Sequence, residues 1–206
     1  MSNQKDSVGK VTIAVNVAGA LNQRGRDVLL VDLDPQGNAT EGLGFADAYD
    51  AEPPSLFNVL TDSEQRGEIK RLVREHPEMD VIPSNVDHHH TEREMTHVRR
   101  PTEQLALALE DIGQHYNYVL IDCPPSLGHL TDNALYAGWF ARAFDDIPRF
   151  EVRKRVALQR AHSAGSSLFE YDPEIDMCDV FLEIAAALDE QFGLSPAETA
   201  STREVQ

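Results

Sequence analysis

Two short segments place carboxylates where a phosphate-bound cation would use them. Val28-Leu29-Leu30-Val31 delivers Asp32 and Asp34 into a Pro35-Gln36-Gly37 turn, and Tyr118-Val119-Leu120-Ile121 delivers Asp122 into Cys123-Pro124-Pro125. Runs this apolar suit strands covered on both faces, as in a parallel sheet. Open parallel sheets take their ligands outside the carboxyl ends of the strands. A carboxylate buried there is costly unless a cation, a metal-bound phosphate or an attacking water uses it. Taken alone, the first segment equally fits a plain turn with an Asp near a helix start, and Asp122 fits a cap of the following Pro-Pro turn. A third segment, from Asn3 to Leu21, sets Gly9-Lys10 ahead of a helix-forming stretch. Backbone N–H groups at a helix start, a Lys point charge and a hydroxyl for Mg²⁺ are the parts of a phosphate loop.

In this order and spacing the three segments resemble the ParA/MinD family, in particular its Soj-like chromosome and plasmid partition ATPases. The resemblance covers residues 3–135 almost continuously and returns over 148–192. It implies an α/β fold, a P-loop NTPase-like parallel sheet with helices on both faces. The sheet is expected to be incomplete: no strand-forming run precedes Gly9-Lys10, and 136–147 stands as a shortened junction where the family has further strand–helix units. The implied layout is one domain over 1–192, with a nucleotide-binding part (1–135), that junction, a C-terminal helical part (148–192) and a polar tail (193–206). ATP and Mg²⁺ are the implied cofactors, with Gly9, Lys10, Val11, Thr12 and Asp32 at the nucleotide. Lys5 is the implied Lys that reaches a dimer partner's nucleotide, and Asp34 the residue that positions the attacking water. Asp34 and Asp122 are the implied, indirect Mg²⁺ residues. The implied partners are a second copy on ATP binding, non-specific DNA and a ParB-like adaptor, in the cytoplasm and away from membranes.

The phosphate loop departs from the family's K-G-G-x-G-K-T-T pattern. Lys5, Gly9, Lys10 and Thr12 match; Asp6 and Ser7 replace two glycines, and Val11 replaces the metal-binding Thr. A charge such as that of Asp6 at ~5 Å from a phosphate costs about 3 kcal/mol at an effective dielectric of ~20. Val11 offers no hydroxyl. Two expectations therefore stand side by side: a working partition ATPase, and a catalytically impaired ParA-like binding module or decayed remnant.

The elements that would position these residues follow from periodicity. The pattern predicts a helix over Val11–Leu21 ending near Gly25, a strand over 28–33, a loop over 41–54, and short helices at Ser55–Leu60 and Glu64–Glu75. A short strand at Met79–Pro83, an amphipathic helix at Thr102–Gln114 and a strand at Tyr118–Ile121 come next. Ser166–Asp172 reads as a turn before a last helix, Ile175–Phe192, whose Val180, Ile184, Ala187 and Leu188 would pack on the sheet. Alternating strands and helices with apolar strands mean a doubly wound sheet.

With 206 residues, one domain with a real core is expected. Thirty-five acidic residues against 18 Lys and Arg give a net charge of −17, which argues against a generally basic nucleic-acid surface. Basic residues cluster locally at Arg99-Arg100 and at Arg149, Arg153, Lys154, Arg155 and Arg160. The dispersed acidity also fits a salt-rich cytoplasm, in which case the fold should fail in dilute buffer. Cys123 and Cys178 form no disulfide framework and no CxxC pair, so both read as small apolar residues. His88-His89-His90 reads as a solvated loop. The first residues lack a signal-peptide pattern, and no apolar run reaches the ~20 residues that span a bilayer.

Overall fold

The computed structural model describes residues 8–49, 52–124, 128–133 and 156–192. Lys5, Asp6 and Ser7, the 136–147 junction, the basic cluster at 149–155 and the 193–206 tail lie outside these, as do the side chains of His88 and His89.

Helix α1 (Val8–Gln23) leads into β1 (Val28–Asp32). Its end is fixed by Gly25, at φ 75°. Arg26 N–H reaches Leu21 O at 3.0 Å and Gly25 N–H reaches Asn22 O at 2.8 Å, the paired bonds of a Schellman stop. The helix starts at Val8, before the predicted Val11, so Gly9 and Lys10 belong to its first turn.

Helices α2 (Asn38–Gly42) and α3 (Ala46–Tyr49) occupy the stretch expected as loop. Then come α4 (Leu56–Thr61), α5 (Ile69–Leu72), β2 (Arg74–Glu75) and β3 (Asp80–Ile82). Next are α6 (Thr91–Glu94), α7 (Gln104–Leu109) and β4 (Tyr118–Asp122). The described part of α8 (129–133) is followed by α9 (Val156–Ser163), α10 (Leu168–Tyr171) and α11 (Met177–Gln191). Two expected helices are shorter than their patterns. Arg74–Glu75 leaves the helical stretch to pair as β2, and Thr102–Gln114 is α-helical only over Gln104–Leu109. The expected turn at Ser166–Asp172 contains α10, whose Ser167 side chain accepts from Phe169 N–H.

The sheet order is β2-β3-β1-β4. β1 runs parallel to both β3 and β4, as expected of a doubly wound fold; β2 is an antiparallel edge. Successive β1 residues point to opposite faces. Val28 and Leu30 join a core with Val11, Val15, Ala18 and Leu21 of α1 and Phe181 of α11. Leu29 and Val31 join a second core with Leu56, Leu60, Met95, Leu105 and Leu130. Both faces of β1 are thus covered, which is why the run has no polar alternation. Helix α11 packs along α1. Its Phe181 and Ala185 are fully buried, while Val180, Ile184 and Leu188 are partly so.

Gly19 of α1 permits one close approach. A Cβ there would collide with the Ser167 side chain. Ser167 in turn donates through its N–H and Oγ to the buried Glu78 carboxylate. Asn16 Oδ1 accepts from Leu168 N–H at 2.8 Å. These bonds seat α10 on α1.

Candidate functional site

The carboxyl ends of β1 and β4 bring the predicted aspartates together. Asp32 and Asp122 are register partners across the two strands, and Leu33 N–H donates to Asp122 O at 2.8 Å. Asp34 follows in a tight turn in which Gly37 N–H donates to Asp34 O at 2.9 Å. Gly37 has φ 62°, and a Cβ there would meet the Tyr49 ring at 2.6 Å, so the turn needs glycine on two counts. Tyr49 OH closes the turn from outside by donating to Pro35 O at 2.8 Å.

All three carboxylates are essentially withdrawn from water: Asp32 is 0% exposed, Asp34 2% and Asp122 2%. Their hydrogen bonding differs. Asp32 accepts from Thr40 Oγ1 at 2.7 Å, Thr40 N–H at 2.8 Å and Asp34 N–H at 3.2 Å. Asp34 Oδ1 accepts from Gln36 N–H at 3.0 Å. Asp122 Oδ2 is buried and has no hydrogen-bond partner among the described residues.

Electrostatics follow from this. Burial pushes the Asp32 carboxyl up to about 6, against the lowering effect of the Thr40 and Asp34 hydrogen bonds. Burial, followed by repulsion from Asp32 and Asp34, pushes Asp122 up to about 7; the positive charge of Lys10 pulls the other way. Lys10, half-buried in the first turn of α1, is thus near enough to act on the same charge cluster. Cys123 rises to about 11, first through burial and then through Asp122.

The other predicted residues are placed as follows. Gly9 is exposed in the same first turn. Thr12 is half-buried one turn on, its carbonyl accepting from Asn16 Nδ2 at 2.8 Å. Val11 points into the apolar core at 3% exposure, so its side chain contributes packing and only its backbone could face a ligand. Lys5 lies outside the described residues.

Thr40 and Ser84 support the aspartate turn and were not singled out by the sequence pattern. Ser84 N–H donates to Thr40 Oγ1 and Ser84 Oγ to Asp34 O, each at 2.8 Å. The Pro83-Ser84-Asn85 loop after β3 thereby braces the Asp32–Asp34 turn. Its position after a strand was the available signal.

Three buried carboxylates at the ends of β1 and β4, with a Lys in the first turn of α1 near enough to act on them, suit a divalent cation carried by a phosphate. Mg²⁺ is held by one or two carboxylates, keeping several of its waters. The partnerless Asp122 Oδ2 is the group such a bound water would satisfy. The residues present therefore fit a Mg²⁺-bound phosphate group.

A family model described as an AAA domain matches residues 1–139, about two thirds of the chain. The sporulation initiation inhibitor protein Soj of Bacillus subtilis is 44% identical over 137 residues, covering 66% of this chain and 53% of Soj. The chromosome partitioning protein ParA of Caulobacter vibrioides is 42% identical over 140 residues, 66% of this chain and 51% of that protein. The chain belongs to the ParA/MinD family. It spans about half the length of these curated ParA relatives. Among solved structures, the cobyrinic acid a,c-diamide synthase of Mycobacterium smegmatis with bound ATP analog and magnesium is 37% identical. It superposes with TM-score 0.59 over 66% of this chain and 54% of that one. The expected α/β class and P-loop ancestry are thus borne out, with the antiparallel β2 edge as a local departure from an all-parallel sheet.

Proposed function

We propose that the chain binds ATP with Mg²⁺ at the crevice between the start of α1 and the ends of β1 and β4, as a ParA-type partition ATPase. The observation that carries this is the buried Asp122 Oδ2, left without a partner beside two further buried carboxylates. In this reading the first-turn N–H groups of α1, which have no intrahelical acceptor, face the phosphates with Lys10. Asp122 and Asp34 would hold the cation through water, and Asp34 would position the attacking water. Bound Mg²⁺ supplies neutralisation of phosphate charge, the main demand of phosphoryl transfer. Asp32 keeps the turn in place through Thr40. ATP-dependent pairing of two copies with Lys5 in trans, backbone contact with DNA, a ParB-like adaptor and a cytoplasmic setting complete the proposal; the likeness to Soj and ParA supports them.

One observation favours a second reading, a module that binds nucleotide without turning it over. The residue in the metal-hydroxyl position, Val11, is packed in the core. Calorimetric titration of Mg·ATP into the full chain, alongside a turnover assay, distinguishes the two. Saturable, Mg²⁺-dependent binding that weakens at least tenfold in Lys10→Ala is expected. Binding with no turnover above background selects the second reading, and binding indifferent to Lys10→Ala rejects the site.

A further inference from the structure

On the helical layer covering the Leu29–Val31 face of the sheet lies a cleft of about 630 Å³ that shares no lining residue with the aspartate crevice. Its size suits a small ligand, since ligand clefts run from about 300 to 1,000 Å³. Its charge contrasts with the rest of the chain. Arg66, Arg99, Arg100 and His97 line it, with Glu94 as the acidic lining residue.

The arginines are held by one buried side chain. Gln104, 3% exposed, donates through Nε2 to Arg99 O at 2.8 Å and Arg100 O at 3.0 Å. Its Oε1 accepts from Arg66 Nη2 at 2.7 Å. A single amide therefore ties the Arg66 guanidinium to the backbone that carries Arg99 and Arg100. Arg100 takes φ 57°, a backbone conformation uncommon for a residue with a side chain, just before Pro101.

Arg100 is neutralised by Glu103. Arg66 and Arg99 have no carboxylate partner within ion-pair distance among the described residues, in a chain where acidic residues outnumber basic ones by 35 to 18. Arg66 Nε is buried with no acceptor. A desolvated guanidinium N–H without an acceptor is costly, and its fork matches an oxyanion. Ser63 brings a hydroxyl to the same wall, where the Thr61 hydroxyl donates to Phe57 O at 2.7 Å.

We propose that this cleft binds a small phosphate-bearing molecule, with Arg66 and Arg99 as its principal cations and Gln104 as the residue that positions them. Phosphate is a group that two forked cations and a neighbouring hydroxyl recognise by charge-assisted hydrogen bonds. This site is independent of the ATP crevice.

The test follows the Arg66 Nε–H resonance of the full chain by ¹⁵N NMR, assigned with Arg66→Lys, during titration with inorganic phosphate and then pyrophosphate. A saturable displacement is expected, with affinity about tenfold weaker in the exposed-site variant Arg99→Gln and unchanged in Lys10→Ala. The last arm separates this cleft from the ATP crevice, which pyrophosphate also fits. No saturable displacement at millimolar phosphate, or the same displacement with chloride at matched ionic strength, overturns the proposal. So does a duplex oligonucleotide that displaces the resonance where phosphate and pyrophosphate do not, since the ligand is then nucleic acid.

Discussion

Asp32 and Asp122 stand opposite each other on adjacent parallel strands, both buried, one saturated with hydrogen bonds and the other with a bare oxygen. The fold therefore keeps protons that the unfolded chain would release. Asp122 titrates near 7 and Asp32 near 6 when folded, against 3.8 ordinarily. Well below pH 3.8 both groups are protonated in either state and the fold bears no charge penalty. As pH rises from about 4 to about 7 the unfolded chain loses its protons first, so stability falls, levelling off above the folded values. The two shifts together put the loss at roughly 7 kcal/mol. Urea denaturation at stepped pH measures it, and Asp122→Asn should flatten the slope. An unchanged slope in that variant would show that Asp122 carries no such burden.

Val11 bears on whether the chain turns ATP over. Because its side chain lies in the core between α1 and the sheet, Val11→Thr places a hydroxyl among apolar groups and should cost about 1–2 kcal/mol. Turnover should not rise. A clear gain in Mg²⁺-dependent ATPase rate would mean that the side chain at this position reaches the phosphates, and that α1 starts differently from the geometry described.

Much of this site was legible because its signals are local. The β1 run is apolar on both faces because each face meets its own core, and Gly25 stops α1 through bonds that span six residues. Asp32, Asp34 and Asp122 follow directly from where their strands end. Long-range braces left no comparable trace. Thr40 and Ser84 are 44 positions apart and meet only because β1 and β3 pair in parallel. The start of α1 was misjudged because Gly9, a poor helix former, reads as loop ahead of the apolar pattern. β2 is two polar residues whose strand identity comes wholly from pairing with β3. The Gln104 clamp on three arginines was hidden for the same reason, as it joins segments that read separately as a charge pair and a helix start.

A buried charge cluster joins the segment after α1 to α11 and makes the fold sensitive to acid. Asp189, 2% exposed, accepts from Arg24 Nε at 2.7 Å, Arg26 Nε at 2.9 Å and Tyr118 OH at 2.8 Å. Burial alone would raise its carboxyl; the bonds from Arg26, Tyr118 and Arg24 outweigh burial and hold it below the usual carboxylate range. A depressed carboxyl stabilises the fold above the ordinary carboxylate range, and that contribution fades as pH drops through the folded value. Asp189→Asn keeps the shape but removes the charge that neutralises Arg26, which is 7% exposed. The expected cost is about 3 kcal/mol at neutral pH, and it should shrink in acid, where the native carboxylate is itself protonated. Chemical denaturation of both proteins at pH 7 and in acid checks this. A deficit under about 1 kcal/mol at pH 7 would place the cluster among solvent-screened pairs and shift the anchoring of α11 to its apolar contacts with α1.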